Sequence, residues 1–251
     1  MKIIILAAGE GKRLRPYTNE IPKCMVRLAG NHMLSHQLSS IRKCNIVSDD
    51  IALVGGYKME ALEKFSLQKF KNPKYSSTNM VTTLFCARNF MKHDEDLVIS
   101  YGDIVYEEKV LRAVLDCNEE MCVTADKEWE RLWRLRMSNP LEDAETFVMD
   151  DKLLISELGK KPTSFSQVQA QYIGLIKISK STMARVTAFY ESLDKGKLYD
   201  GQVYDNIYMT SLIQMIIDNL VDVKPVFING GWIEIDSVED IRAYNKKSIK
   251  F

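Results

Sequence analysis

The sequence predicts an α/β fold with a mixed, mostly parallel central sheet flanked by helices. Three observations carry this. Short, mostly apolar runs recur at residues 2–7, 51–56 and 96–103, as strands buried on both faces require. Segments with helical spacing of their apolar residues separate these runs. The runs lead into glycine or glycine-aspartate, at Gly9, Gly55-Gly56 and Gly102-Asp103, where a chain leaves the sheet edge.

In chain order, KIIILA (2–7) is the first strand and MLSHQLSSIRKC (33–44) the first helix. IALVGG (51–56) is a second buried strand, and MVTTLFCARNFM (80–91) a helix with Leu84, Ala87 and Met91 on one face. DLVISYGD (96–103) is a strand, EEKVLRAVLDC (107–117) a helix and MCVTAD (121–126) a strand. This βαβα order argues for parallel pairing. Beyond residue 126 the rhythm changes. ETFVMDDKLLISEL (145–158) predicts a hairpin turning at Asp150-Asp151, QYIGLIKIS (171–179) a strand and STMARVTAFYESL (181–193) a helix. VYDNIYMTSLIQMIIDNL (203–220) predicts a longer helix and VKPVFI (223–228) a strand. SVEDIRAYNKK (237–247) closes the chain as a helix capped by Ser237, with Glu239 and Asp240 in its first turn. No Gly/Ser/Pro-rich linker, repeat or low-complexity stretch interrupts the chain, so residues 1–251 are expected to form one domain of two halves meeting near residue 126.

Composition narrows the function. The 251 residues are 46% hydrophobic and 27% charged, with 34 basic against 34 acidic side chains. That balance leaves no basic footprint for nucleic acid. The N-terminal apolar run of about seven residues is too short for a bilayer and shorter than a signal-peptide core, so no membrane association and a cytoplasmic location are expected. Five cysteines (Cys24, Cys44, Cys86, Cys117, Cys122) with no CxxC spacing read as buried reduced thiols. His32, His36 and His93 make no metal pattern. His32 and His36, four apart on a helix, read as a solvated face, because no third zinc ligand follows.

The densest signal is LAAGEGKRLRPYTNEIPK, residues 6–23. A dinucleotide loop wants GxGxxG opening into a helix; counted from Gly9, the third glycine position holds Leu14, and Pro16 blocks an immediate long helix. A Walker loop wants GxxxxGK and then Ser or Thr; Arg13 follows Gly11-Lys12, and Gly9 is two residues back rather than five. A long loop wrapping a polyphosphate fits better. Gly9 and Gly11 let backbone N–H groups close on phosphate oxygens. Arg13 can fork two such oxygens. Lys23 returns a second cation behind the stiff Ile21-Pro22 entry, and the prolines keep the two cations apart.

This string resembles the signature of the sugar-1-phosphate nucleotidyltransferase superfamily, through Leu6, Ala7, Ala8, Gly9, Gly11, Arg13, Leu14, Pro16, Thr18, Pro22 and Lys23. Lys12 departs from it, since many members have Ser or Thr there. The resemblance implies a Rossmann-like nucleotidyltransferase fold, with residues 1–126 as the nucleotide half and 127–251 as the acceptor half. It also implies that Leu6, Ala7, Ala8, Gly9, Glu10, Gly11, Lys12 and Arg13 bind a nucleoside triphosphate, with Arg13 and Lys23 as catalytic cations.

Asp103 stands at the carboxyl edge of a strand, where it can cap a helix or hold Mg²⁺, which takes one or two carboxylates plus phosphate oxygens. Glu234 and Asp236 alternate along one strand face. The W-x-E-I-D…E-D pattern at 232–240 resembles the superfamily's C-terminal motif, which implies a magnesium site on Asp103 and Asp236, with Glu234 orienting the acceptor or a lysine. The inferred reaction is attack by a phosphate or phosphonate oxygen on the α-phosphorus of the triphosphate, releasing pyrophosphate. An ionised oxygen needs no general base, which agrees with the absence of a histidine constellation.

The base pocket is expected beside Gly55, Gly56 and Tyr57, beside Thr78 and Asn79, and beside Tyr101-Gly102. Asn79 offers both a donor and an acceptor, and serves equally as a helix cap. GGY and STNMVTTL resemble the cytidylyltransferases with phosphocholine, aminophosphonate and phosphoglutamine acceptors. That implies CTP as nucleotide and CDP-linked head groups for bacterial surface polysaccharide. A sugar-1-phosphate uridylyl- or thymidylyltransferase and a non-catalytic nucleotide-binding module are the alternatives. ISELGKK resembles a family segment that places Glu157 and Lys160 or Lys161 near the acceptor, and YIGLIKIS one that places Gly174 on the pocket floor. For a cationic acceptor, Trp129, Trp133, Tyr199, Tyr204, Tyr208 and Trp232 are available as an aromatic cage, with Trp129 and Trp133 as a lid, although each ring taken singly reads first as packing. Glu128, Glu130, Asp200 and Asp205 offer carboxylates for an amino group. A homodimer through the acceptor-half helices completes the expectations.

Overall fold

Side chains alternate across the first strand, β1 (Lys2–Ala7), and that alternation sets the layers. Ile3, Ile5 and Ala7 enter one core; Ile4 and Leu6 enter another. The computed structural model describes residues 1–91 and 94–246; His93 and the last residue of the expected closing helix, Lys247, lie outside the described residues.

Six further strands complete the main sheet: β2 (Ile51–Gly55), β3 (Gln68–Lys71), β4 (Leu97–Tyr101), β5 (Met121–Asp126), β6 (Gln171–Ile178) and β7 (Lys224–Ile228). Their spatial order is β7-β5-β6-β4-β1-β2-β3. Every neighbouring pair is parallel except the two made by β6, which runs against β4 and β5. The sheet is therefore mixed and mostly parallel. β3 escapes the sequence reading because QKFK is an edge strand, polar and lysine-bearing, with no buried run to announce it.

Helices α1 (Met33–Lys43), α3 (Glu108–Leu115) and α4 (Trp129–Arg136) cover one face; α2 (Met80–Phe85), α5 (Lys180–Ser192) and α6 (Met209–Asn219) cover the other. α7 (Val238–Lys246) packs beside α4. Among the described residues no helix is long and apolar enough to cross a membrane.

Three readings are corrected. The helix expected over 80–91 ends at Phe85 and resumes only as a short turn at Arg88–Phe90, although Leu84, Ala87 and Met91 are buried as expected. The helix expected from Val203 begins at Met209, because the Asp205 carbonyl is drawn away to accept from Asn79 N–H and Thr82 Oγ1. Trp129 and Trp133 are no lid: they are buried in the core beneath α4. The hairpin about Asp150-Asp151 forms from Phe147–Met149 and Ile155–Leu158.

Candidate active site

β1 and β4 are parallel neighbours, and Leu6 stands opposite Tyr101. The loop after Ala8 and the turn Gly102-Asp103 therefore leave the same sheet edge, where open parallel sheets hold their ligands. A short ribbon then brings distant sequence to this edge. Ile104–Tyr106 pairs antiparallel with Trp232–Glu234, Ile104 lies opposite Glu234, and Ile235 N–H donates to the Asp103 carbonyl at 3.1 Å. A third core, including Leu14, Val26, Val105, Ile233, Ile235 and Tyr244, glues the loop to this ribbon and to α7. The loop itself holds two single turns, Lys12–Leu14 and Lys23–Met25, and no α-helix.

Lys23 is the centre of the charges. Its Nζ donates to Asp103 Oδ2 at 2.7 Å and to Asp236 Oδ1. Arg13, 66% exposed at the mouth, meets Asp236 Oδ2 at 3.2 Å. Burial opposes the charge on Lys23, but Asp103, Asp236 and Glu234 outweigh it and hold the proton on. Burial alone would raise the Asp236 carboxyl; Lys23 and Arg13 overcome it and hold that carboxyl at about 2. Glu234 is shifted well above the usual carboxylate range by burial first and the charge of Asp236 next, with Arg136 opposing.

Asp103, Glu234 and Asp236 bring one carboxylate oxygen each to within 4.8 Å of one another, the one such metal-capable group among the described residues. Glu234 thus stands with Asp236, whose strand face it shares, and with Asp103. Asp103 Oδ1 is buried without a partner. Hard oxygen donors with one valence unanswered fit a magnesium ion. His32 and His36 do not: both are half-buried, and His32 Nδ1 meets the Met25 carbonyl at 2.7 Å and His36 Nε2 the Leu28 carbonyl at 2.8 Å, so both also hold the loop.

Two clefts meet here. The first is lined by Leu6, Ala7, Ala8, Gly9, Lys23, Thr78, Asn79, Tyr101, Gly102 and Asp103, all singled out in the sequence, with Cys24, Tyr75, Met80 and Thr83. Nothing lies within 4 Å of where a Cβ on Gly9 would stand, so a phosphate can approach that backbone. Asn79 Oδ1 caps α2 by accepting from Met80 N–H at 2.8 Å. Burial pushes the Cys24 thiol up to about 12, so it offers no nucleophile. The second cleft shares Met80 and Tyr101 with the first and continues past Trp133, Asp143, Glu145, Gly174, Glu234 and Asp236. Gly174, at φ +80°, sits where the register of β6 shifts against β5, and any side chain there would strike the Tyr101 ring that divides the clefts.

Other singled-out residues fall elsewhere. Glu10 pairs with Lys12 at 3.6 Å and Arg15 at 3.5 Å within the loop, and with Gly11 it lines neither cleft. Gly55, Gly56 and Tyr57 stand behind the first cleft: Gly56 packs under Tyr75, and Tyr57 Oη donates to the Asn19 carbonyl at 2.8 Å. Tyr75 is the aromatic wall instead. Glu157 and Lys160 pair with each other at 2.8 Å outside both clefts, and Lys161 donates to the Glu142 carbonyl. Of the aromatic residues considered for a cage, Trp133, Tyr208 and Trp232 line the second cleft; Glu128, Glu130, Asp200 and Asp205 do not.

Two positioning residues escaped the sequence reading. Arg136 of α4, 3% exposed, forks Asp240 at 2.9 and 3.3 Å and reaches Glu234 at 3.0 Å. Asp240 in turn accepts from the backbone N–H of Asp236 at 2.8 Å. Gln37 of α1 donates to the carbonyls of Tyr101 and Ile104, which flank the Asp103 turn, at 2.7 and 2.5 Å. Its only signal is a polar side chain on an apolar helix face.

The family model for the MobA-like NTP transferase domain matches residues 3–170. A CTP:phosphoglutamine cytidylyltransferase from Campylobacter jejuni is 42% identical, over 98% of this chain and 100% of its own. A bifunctional protein GlmU from Methanocaldococcus jannaschii is 28% identical over 98% of this chain, which spans about half (54%) of that protein. Among solved structures, an inositol-1-phosphate CTP transferase from T. maritima superposes with a TM-score of 0.74, at 20% identity, covering 98% of this chain and 95% of that one. This last likeness speaks to the fold alone.

Proposed function

This chain belongs to the MobA-like NTP transferase family, and from that premise we propose that it transfers CMP from CTP to a small phosphorylated acceptor with release of pyrophosphate. The end-to-end 42% identity with a protein named for CTP and phosphoglutamine supports the nucleotide and makes a phosphoglutamine-type acceptor the leading one. The observation that carries the reaction is Lys23, whose ammonium joins an acid of the first cleft to an acid of the second where the two clefts meet.

The acceptor phosphate is ionised at neutral pH. Its oxygen bonds to the α-phosphorus as the bond from that phosphorus to the bridging oxygen breaks. Pyrophosphate leaves with the electron pair, and no side chain has to take a proton. The chain's own work is positioning and neutralisation. Lys23 exchanges its carboxylate partners for oxygens of the α-phosphate and the acceptor phosphate. Arg13, at the mouth, offsets charge on the departing pyrophosphate. The backbone at Gly9 takes phosphate oxygens. Asn79 and Tyr75 flank the base. Asp103, Asp236 and Glu234 are the residues that would hold magnesium. Held there, magnesium would supply charge neutralisation to the triphosphate. The CDP-linked product suits onward transfer to a surface polysaccharide.

The test is a matrix of the four NTPs against phosphoglutamine, phosphocholine, aminoethylphosphonate and glucose 1-phosphate, read by pyrophosphate release. CTP with a small head-group acceptor should be the active pair. Activity confined to UTP or dTTP with the hexose phosphate would replace this reading, and tight nucleotide binding without release from any pair would remove catalysis.

A further inference from the structure

The acids near the reaction point are answered by cations, with one exception. Asp103 and Asp236 meet Lys23, and Glu234 and Asp240 meet Arg136. Glu145, on the wall of the second cleft, has no cationic side chain in ion-pair range among the described residues; only its backbone N–H is held, by Gln171 Oε1 at 3.4 Å. Its charged neighbour is another acid, Asp143, which also lines the cleft and is itself answered by Arg136 Nη1 at 3.9 Å, leaving Glu145 as the one acid of the cleft without a cation in range among the described residues. A mostly buried carboxylate without a counter-ion is costly, and a cationic ligand removes that cost.

A second observation points to a ligand in the same place. Trp133 is 2% exposed and lines this cleft, yet its indole Nε1 is buried with no acceptor. The walls beside it are Tyr101, Tyr172, Tyr208 and Trp232. Rings plus an unanswered carboxylate suit a compact ammonium, and an orphan N–H suits an oxygen of the same molecule.

We propose that Glu145 selects acceptors bearing an ammonium group, which it takes as its counter-ion within the second cleft. This rests on the nucleotidyl-transfer reading above and names the acceptor class for it. Glu145 sets specificity and leaves the bond-making to the residues around Lys23.

The test uses the full chain, CTP, and two acceptor pairs differing in that charge: phosphoglutamine against its Nα-acetyl derivative, and phosphoethanolamine against 2-hydroxyethyl phosphate. Pyrophosphate release should favour the charged member at least tenfold in kcat/KM in one pair. Glu145→Gln should bring that preference close to unity by raising KM for the charged acceptor, with KM for CTP unchanged. Glu145→Asp, which keeps the charge, should retain a preference and guards against misfolding as the cause. Equal use of both members by the active wild type, or an undiminished preference in Glu145→Gln, overturns the inference and leaves the reaction standing. A wild type inactive on all four overturns the inference and the phosphoglutamine acceptor, and the reaction falls with them only if phosphocholine and aminoethylphosphonate also give no release.

Discussion

Lys23 stands between two carboxylates that would otherwise repel each other, and in the proposed reaction the same ammonium draws two phosphates together. Lys23→Ala should therefore lower turnover by roughly 10²–10³, the usual cost of one preorganised charge-stabilising donor. The variant should still unfold cooperatively, because Arg13 remains on Asp236. A folded variant within threefold of the wild-type rate would remove Lys23 from the chemistry. Glu145 gives the opposite signature, costing stability where it serves function. Burial, then Asp143, raises its carboxyl from 4.5 to about 7, with Tyr101 and Tyr172 the other titratable neighbours and no cation among them. The unfolded chain ionises first, so folding carries a proton penalty that grows as pH rises from about 4.5 to about 7 and is constant above. Glu145→Gln should be more stable than wild type at pH 8, by of the order of 2 kcal/mol, with the gain gone by about pH 4. Urea unfolding at both pH values measures it; a gain equal at both would mean the carboxyl is not perturbed in the fold.

At the scale of elements, the site depends on how α4 and α7 hold the ribbon at Trp232–Glu234. Asp240 closes the α7 cap by accepting from Ser237 N–H at 2.9 Å while Ser237 Oγ accepts from Asp240 N–H at 3.2 Å, and it also anchors the backbone of Asp236. The sequence shows Ser237 as the cap and Asp240 as an acid of the first turn. It does not show that Arg136, over a hundred residues earlier in the chain, is the counter-ion. Arg136→Ala should cost about 3–5 kcal/mol, because Asp240 and Glu234 stay buried and uncompensated. Arg136→Lys should recover only part, since an ammonium cannot reproduce the fork. Chemical denaturation distinguishes these outcomes, and a loss below about 1 kcal/mol for Arg136→Ala would show that solvent reaches the acids. Periodicity reported strands and helices well where one face was buried. It failed at Val203–Tyr208, where a tertiary hydrogen bond to Asp205 outcompetes helix propagation, and at β3, where an edge strand has no apolar face to read.

At the scale of the molecule, the first cleft is lined from β1, the signature loop, α2 and the turn after β4, and the second from β6, α4, α6 and the C-terminal ribbon. Ligand in the first should therefore stabilise the sheet as a whole. With magnesium present, CTP at about a hundred times its Kd should add about 2.7 kcal/mol to unfolding. Hydrogen exchange should slow in β1, β4 and residues 232–234 alike. Slowing confined to the loop at 9–23 would mean that nucleotide does not bridge the two halves.

By itself the sequence determined the layers, the sheet edge that carries the candidate site, and the glycine-proline loop whose Arg13 and Lys23 meet Asp103 and Asp236. Each of these is written in local spacing: apolar alternation, glycines at a strand end, prolines between two cations. Only the tertiary structure decided that Glu234 joins the acid cluster, that Tyr75 rather than Tyr57 walls the first cleft, and that Glu157 and Lys160 satisfy each other away from it. It alone revealed Arg136, Gln37 and Glu145. The physical reason is that a charge declares its role through the partner it meets or lacks, and those partners are chosen by packing between elements far apart in the chain.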